Sequence, residues 1–234
     1  AALRDCEAIL QIRPGDLDAT LNRAVALSLK GDPAAALAGF DRVIAARPGD
    51  AVALYNRALL RRQKGDLGGA LEDLTQTLRL RPAFAPAFNN RGSIRLLQNE
   101  LPSAVSDFDS ALRQKPEFAE ALNNRASALF RQGELGGALR DLGEALRLSP
   151  GFAEAYYNRS LIRLKEEARE AALEDLGRAV ASRPSWNAPY VLRAQVRSLT
   201  GDTLGARQDA RRALDLGVSP EDRRALEALH LGDE

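Results

Sequence analysis

The 234-residue sequence has no methionine, one cysteine and one histidine, and no apolar run near the ~18 residues that a membrane-spanning helix needs. Cys6 therefore cannot form an internal disulfide, and we expect a packed, unreactive thiol. Beyond the single His230, there is no glycine-rich phosphate loop, no Cys/His metal spacing and no nucleophile elbow. We therefore expect no enzymatic activity, no cofactor, no metal site and no membrane insertion.

The overall charge also argues against two classes of partner. The formal net charge is +1 with 28% charged residues, which gives no electrostatic drive toward nucleic acid or an anionic membrane. The chain opens on AALRDCEAIL, which reads as the second helix of a helix pair without its first helix. We therefore expect a segment of a longer protein. Targeting signals cannot be judged from a segment, and the compartment is left open with the cytoplasm favoured.

What the sequence does contain is an internal repeat of 34 residues. Prolines recur at this interval, at Pro14, Pro48, Pro82, Pro116, Pro150 and Pro184. We predict one periodic domain over 1–234. It begins with a partial repeat at 1–16 and ends with a capping helix at 221–234. Six full repeats lie between them, at 17–50, 51–84, 85–118, 119–152, 153–186 and 187–220.

The pattern within one repeat predicts two helices. In the repeat 119–152, Leu122, Ala126 and Leu129 share one helical face, and a turn containing Gly133 follows. A second apolar stripe then runs to the terminal proline, at Leu135, Ala138, Leu139, Leu142, Ala145 and Leu146. Glycine suits the left-handed residue that follows a helix, whereas the fifth full repeat has Glu167 at this position, where we expect local strain.

Four columns of the repeat resemble the tetratricopeptide repeat. They are the small residues Ala24, Ala58, Gly92, Ala126, Ser160 and Ala194, the alanines Ala36, Ala70, Ala104, Ala138, Ala172 and Ala206, the large residues Phe40, Leu74, Phe108, Leu142 and Leu176, and the terminal prolines. The resemblance implies an all-α solenoid of stacked antiparallel helix pairs in a right-handed superhelix, with the first helix of each pair on the concave face. It implies protein binding only in general terms, because a fold hosts many functions.

Arginine and aspartate columns accompany each other along the repeats. The arginines are Arg23, Arg57, Arg91, Arg125, Arg159 and Arg193, and the aspartates are Asp5, Asp73, Asp107, Asp141, Asp175 and Asp209. The arginines could form a basic stripe for phosphate or nucleic acid. We favour a repeated ion pair between first and second helices, in which the guanidinium binds a carboxylate through two hydrogen bonds.

An asparagine column lies on first helices although asparagine is a poor helix former. Its members are Asn22, Asn56, Asn90, Asn124 and Asn158. The column is similar to the asparagine ladder in the tetratricopeptide superhelix of the O-linked N-acetylglucosamine transferase, which implies that the amides hold the backbone of an extended peptide. An amide side chain matches the donor and acceptor of a peptide unit. The alternative is a structural role between repeats, and the two roles are compatible.

Neighbouring columns would give such a groove its specificity. We predict a peptide site that adds Tyr55, Asn89, Asn123, Ser93, Ser127, Phe130 and Tyr157 to the asparagine column. The same columns contain no lysine, which argues against a different mode, the carboxylate clamp of chaperone-binding tetratricopeptide domains.

The sequence therefore favours a protein-interaction scaffold that binds an extended peptide along its concave groove. Two alternatives stay open at this point. The repeats could recruit substrates for a catalytic domain outside the segment, or they could mediate self-association through the open N-terminal end.

Overall fold

The computed structural model describes the backbone of residues 2–231 and the side chains of residues 2–227. Over this range the chain is all helical and without strands. The described helices are α1 (Ala2–Ile12), α2 (Leu17–Lys30), α3 (Pro33–Ala46), α4 (Ala51–Gln63), α5 (Leu67–Leu80), α6 (Ala85–Leu97), α7 (Leu101–Gln114), α8 (Ala119–Gln132), α9 (Leu135–Leu148), α10 (Ala153–Lys165), α11 (Arg169–Ser182), α12 (Asn187–Leu199), α13 (Thr203–Leu216) and α14 (Pro220–Leu231).

The helices fall into two compact units, Ala1–Pro116 and Glu117–Glu234. In the first unit, α1 packs on α2, and the pairs α2/α3, α4/α5 and α6/α7 stack in chain order. In the second unit the pairs α8/α9, α10/α11 and α12/α13 stack in the same way, and α14 packs against α12 and α13. The fold class is thus an all-α solenoid of antiparallel helix pairs. Below, the even-numbered helices from α2 to α12 are the first helices, and the odd-numbered helices from α3 to α13 are the second helices.

Side chains at the helix ends satisfy backbone groups that the helices themselves leave unpaired. Asp16, Asp32 and Asp50 each precede a helix, and each carboxylate accepts a hydrogen bond from a backbone N–H in the first turn. Ser219 does the same for α14, because its hydroxyl accepts from the backbone N–H of Asp222 at 3.1 Å. Short polar residues therefore mark the start of these helices, whereas α6 to α12 begin without a side-chain capping hydrogen bond.

The buried core follows the columns that recur every 34 residues. The alanine column and the large apolar column from Phe40 to Leu176 are at most 2% exposed. In the pair α6/α7 a glycine, Gly92, replaces the usual alanine or serine, because a Cβ there would lie 2.8 Å from the ring of Phe108. Close packing of first on second helices thus fixes both the large and the small positions.

Two turns between paired helices hold a residue other than glycine in the left-handed region. Asn99 has φ of 64° and Glu167 has φ of 60°, whereas Gly31, Gly65 and Gly133 occupy the equivalent positions elsewhere. Glutamate favours a helix, yet Glu167 lies just after the end of α10, as expected if the stacking of helix pairs overrides local preference. The backbone cost predicted for this turn is therefore present at Glu167.

The last helix described, α14, lies over the end of the second unit. Leu226 on its inward face is fully buried against α12 and α13, beside Tyr190 and Val191. The side chain of Leu229, on the same helix, lies outside the part of the chain whose side chains the structure describes. No helix within residues 2–231 combines the length and apolar character needed to cross a membrane.

Candidate functional site

The arginine column binds the aspartate column in five consecutive helix pairs. In each, the Nε and Nη2 atoms of the arginine donate to the two carboxylate oxygens, at 2.7 to 3.0 Å and 2.6 to 2.7 Å. The pairs are Arg57–Asp73, Arg91–Asp107, Arg125–Asp141, Arg159–Asp175 and Arg193–Asp209. The expected two-bond pairing is thus confirmed for five of the six arginines, whereas Arg23, whose matching position holds Gly39, has its Nε atom 4.0 Å from Glu7 Oε1.

A second arginine column, which was not predicted from the sequence, completes most of these clusters. It lies one helical turn further on, and its Nη1 atoms reach the same carboxylates at 2.7 to 3.0 Å. Its members are Arg61, Arg95, Arg163 and Arg197. The signal was available, because these arginines recur four residues after the first column.

The carboxylates of these clusters are buried, so the arginines serve the core rather than a basic binding stripe. Asp175 is 1% exposed and Asp73 is 3% exposed. The hydrogen bonds to Asp73 and Asp175 raise the pKa of Arg57 and of Arg159 above the ordinary value. Burial of the acid with two cationic partners fixes the register of each first helix on its second helix.

The Nη1 atom of the first-column arginines has different surroundings in different repeats. In the first unit, Arg57 Nη1 donates to Asp41 at 2.7 Å and Arg91 Nη1 donates to Thr75 at 3.3 Å. For Arg193 the equivalent position is glycine, and a Cβ added at Gly177 would lie 3.8 Å from its Nη1 atom. Among the described residues, Arg193 Nη1 has no hydrogen-bond acceptor.

In the first unit the structure places the predicted site residue Asn90 between two side chains of the preceding first helix. Its Nδ2 atom donates to the hydroxyl of Tyr55 at 2.9 Å, and Arg62 Nη1 donates to its Oδ1 atom at 3.0 Å. Tyr55 also packs edge-on against Phe84, with ring centroids 4.9 Å apart. Burial raises the pKa of Tyr55, so its hydroxyl stays protonated at neutral pH.

Other predicted site residues of the first unit have surroundings that differ from those of Asn90. Asn56 Nδ2 donates to the backbone carbonyl of Val52 at 2.8 Å, and Asn22 is exposed. The hydroxyl of Ser93 donates to the backbone carbonyl of Asn89 at 2.8 Å. The five asparagines are therefore not equivalent, although they share one sequence column.

In the second unit three predicted site residues form one hydrogen-bonded cluster. Asn158 Nδ2 on α10 donates to Asn123 Oδ1 at 2.8 Å and to the hydroxyl of Ser127 at 3.3 Å, both on α8. Ser127 in turn donates to the backbone carbonyl of Asn123 at 3.0 Å. Asn123 is buried at 7% exposure, so this cluster links neighbouring first helices.

A small pocket of about 110 Å³ lies beside this cluster. It is lined by Ala126, Ser127, Phe130, Arg131, Leu142, Asn158, Leu161 and Ile162. The ammonium of Lys165 lies over the ring of Phe130, 5.5 Å from the ring centroid. The pocket depends on Leu142 of a second helix, which is why the first-helix columns alone did not reveal it.

The two remaining predicted site residues of the second unit lie on α8 and α10. Asn124 is half-buried on α8, next to Asn123 in the chain. Tyr157 packs against Trp186 with ring centroids 5.0 Å apart, and burial raises its pKa, with a smaller contribution from the charge of Asp222. Both residues are on first helices, in the columns that the sequence assigned to the site.

The chain matches the family model of the tetratricopeptide repeat over residues 55–117, 98–151 and 123–189, more than half of its length. It belongs to the tetratricopeptide repeat family. As a member it is a protein-interaction scaffold, and repeat scaffolds of this family are generally not catalytic. No curated protein matches the sequence.

Solved structures with the same fold have low sequence identity to the chain. A tetratricopeptide repeat protein from Parabacteroides merdae ATCC 43184 has a TM-score of 0.76 at 20% identity, covering 98% of this chain and 91% of that chain. PilW, a type IV pilus biogenesis factor, has a TM-score of 0.80 at 19% identity, with 90% and 98% covered. YrrB, a tetratricopeptide repeat protein with an unusual peptide-binding site, has a TM-score of 0.63 at 23% identity, with 76% and 92% covered.

Proposed function

We propose that this scaffold binds an extended peptide segment of a protein partner along the surface of its first helices. In this proposal the asparagine column contacts the peptide backbone and the neighbouring side chains contact the peptide side chains. The observation that carries it is the amide of Asn158. Its Nδ2 atom is held by Asn123 and Ser127, and its Oδ1 atom accepts no hydrogen bond from the described residues.

A fixed acceptor of this kind suits a peptide N–H of any sequence. The amide is already oriented, so binding costs little side-chain entropy. One net hydrogen bond contributes about 0.5 to 1.5 kcal/mol, so several contacts along the surface are needed for a stable complex. The likeness to YrrB, a repeat protein with a peptide-binding site, supports the same class of ligand.

The test begins with a random ten-residue peptide library displayed against the whole chain. Enriched peptides are synthesised with a fluorescent label and titrated against the native chain and the double variant Asn124→Ala/Asn158→Ala. We expect binding to weaken by about 5- to 150-fold, which corresponds to ~1 to 3 kcal/mol. Gln208→Ala, which removes an exposed amide from the second helix α13, should leave the affinity unchanged.

Folding must be measured on the same preparations, because the asparagines also bond within the protein. A urea denaturation midpoint gives the folded fraction, and the affinity is expressed per folded molecule. The proposal fails if no peptide is enriched, or if the double variant loses stability but keeps its affinity. A peptide that crosslinks to second helices would place the site elsewhere.

Self-association is a second candidate, favoured by one observation on α1. Ile12 is 81% exposed and Ile9 is 37% exposed on this helix. Light scattering across a dilution series, with Ile12→Glu beside the native chain, would detect it as a concentration-dependent mass that the variant lacks. Recruitment of substrates to a catalytic domain elsewhere in a longer protein would use the same peptide-binding surface.

A further inference from the structure

The pocket between α8 and α10 has the size and lining of a site for one apolar side chain. Its walls come from Phe130, Leu161, Ile162 and Leu142, and its volume is about 110 Å³. A cavity of ~150 Å³ with similar walls stays dry and takes up benzene. A leucine or isoleucine side chain, with four carbons against the six of benzene, fits the smaller volume.

The rim of the pocket presents a single oriented acceptor. Both hydrogens of Asn158 Nδ2 are directed at Asn123 and Ser127, so the Oδ1 atom is the part of the amide left for a ligand. Among the side chains described, no buried nitrogen or oxygen lacks a partner, so this oxygen is open to solvent. A peptide N–H next to the apolar side chain can donate to it.

The charges beside the pocket are positive. Arg131 is one of its lining residues, and Lys165 lies over the ring of Phe130. Within residues 2–227, Lys165 forms no ion pair, even with the adjacent acids Glu166 and Glu167. A carboxylate on the ligand close to the apolar side chain would therefore meet an ammonium that pairs with no acid among residues 2–227.

We infer that this pocket is a specificity site for a leucine or isoleucine that has an acidic residue within two positions in the bound peptide. The inference rests on the proposed peptide-binding function and names the peptide class. The aliphatic side chain fills the pocket, its neighbouring backbone N–H donates to Asn158 Oδ1, and the acidic side chain lies near Lys165.

The first unit has no counterpart of this site at the matching column of α4. Arg62 stands where Phe130 stands in the second unit, and it donates to Asn90 Oδ1. The acceptor is thus occupied and the aromatic wall is absent. A control variant is available in the same column of the repeat, because Leu59 of α4 corresponds to Leu161 of α10.

The library selection described above also tests this inference. Enriched peptides should share a leucine or isoleucine with an aspartate or glutamate within two positions. Replacing the aliphatic residue of a selected peptide by alanine should weaken binding by about 10- to 50-fold. Enriched peptides without this pattern would overturn the inference and leave the proposed function standing. If no peptide is enriched, both fall together.

Two substitutions in the protein test whether the selected peptides bind at the pocket. Leu161→Glu should reduce the affinity of selected peptides about tenfold or more, whereas Leu59→Glu, at the equivalent position of α4, should not. Lys165→Glu, on an exposed side chain, should reverse the charge preference in a repeated selection, from acidic to basic neighbours. Arg178→Glu gives the same net charge change from α11 and should keep the acidic preference. An unchanged preference in the Lys165 variant would contradict the inference even if Leu161→Glu fails to fold.

Discussion

In the first unit the amide of Asn90 is held from both sides, by Tyr55 and Arg62, whereas in the second unit the Oδ1 atom of Asn158 is open. The two asparagines share one column of the repeat, and the difference comes from the residues around them. Where α4 has Arg62, α8 has Phe130. One substitution in a repeat thus exchanges an internal hydrogen bond for an apolar wall and an open acceptor.

Two first-column arginines, Arg57 and Arg193, also differ in the partner of the Nη1 atom. Arg57 uses its third nitrogen on Asp41, whereas the equivalent nitrogen of Arg193 faces Gly177. Arg57 therefore donates from all three guanidinium nitrogens, whereas the Nη1 atom of Arg193 has no acceptor among the described residues. Core contacts, by contrast, are shared, since Asp73 and Asp175 are buried alike.

The largest effect should come from the buried arginine–aspartate clusters, which both units contain. Asp73→Ala and Asp175→Ala should each lower the free energy of unfolding by about 3 to 5 kcal/mol, because each leaves two arginines of a buried cluster without their carboxylate. Urea denaturation of the whole chain measures this loss. Glu174→Ala, which removes an exposed acid beside Asp175, is the control. A loss below about 1 kcal/mol would show that these clusters do not stabilise the fold.

The next effect concerns the open acceptor. Phe130→Arg should give the second unit the arrangement of the first, with a guanidinium donating to Asn158 Oδ1. Selected peptides should then bind about 10- to 100-fold more weakly, because both the acceptor and the aromatic wall are lost. Fluorescence anisotropy gives the affinity of the native chain and of the variant. Undiminished binding would mean that Phe130 does not border the peptide.

Much of the fold could be predicted from the sequence, because the 34-residue period and the apolar columns determine which residues pack. The pairing of Arg91 with Asp107 was predictable for the same reason, since both residues recur at one period. The bonds of Asn90 were not, because they depend on Tyr55 and Arg62, which lie 35 and 28 residues earlier and have other residue types in the next repeat. The 34-residue period identifies residues that the repeats have in common, whereas the candidate site depends on residues that differ between repeats.

Single substitutions of Asn90 and Asn56 should change the free energy of unfolding by different amounts. Asn90→Ala should lower the free energy of unfolding by about 1 to 2 kcal/mol, because Tyr55 and Arg62 both lose a half-buried partner. Asn56→Ala should change it by at most about 0.5 kcal/mol in either direction, because Asn56 bonds only to its own helix and alanine is the better helix former. Equal losses in the two variants would contradict the distinction.

A smaller effect should follow from filling the position beside Arg193. Gly177→Asp places a carboxylate where the first unit has Asp41, and an added Cβ meets no closer atom than Arg193 Nη1 at 3.8 Å. Compared with the uncharged Gly177→Asn, the aspartate should add about 0.3 to 1 kcal/mol at low salt. The advantage should shrink at high salt, where the pair is screened. Two identical denaturation curves at low salt would rule out the ion pair.

The smallest difference concerns the two turns that lack glycine, one in each unit. Glu167 and Asn99 both have positive φ, and asparagine tolerates this conformation better than glutamate. Glu167→Gly should therefore raise the free energy of unfolding by some tenths of a kcal/mol up to ~1, after the greater entropy of glycine in the unfolded chain is offset. Asn99→Gly should gain less, or nothing. Thermal denaturation of both variants measures the difference, and a destabilised Glu167→Gly would show that the glutamate side chain contributes more to this turn than its backbone conformation costs.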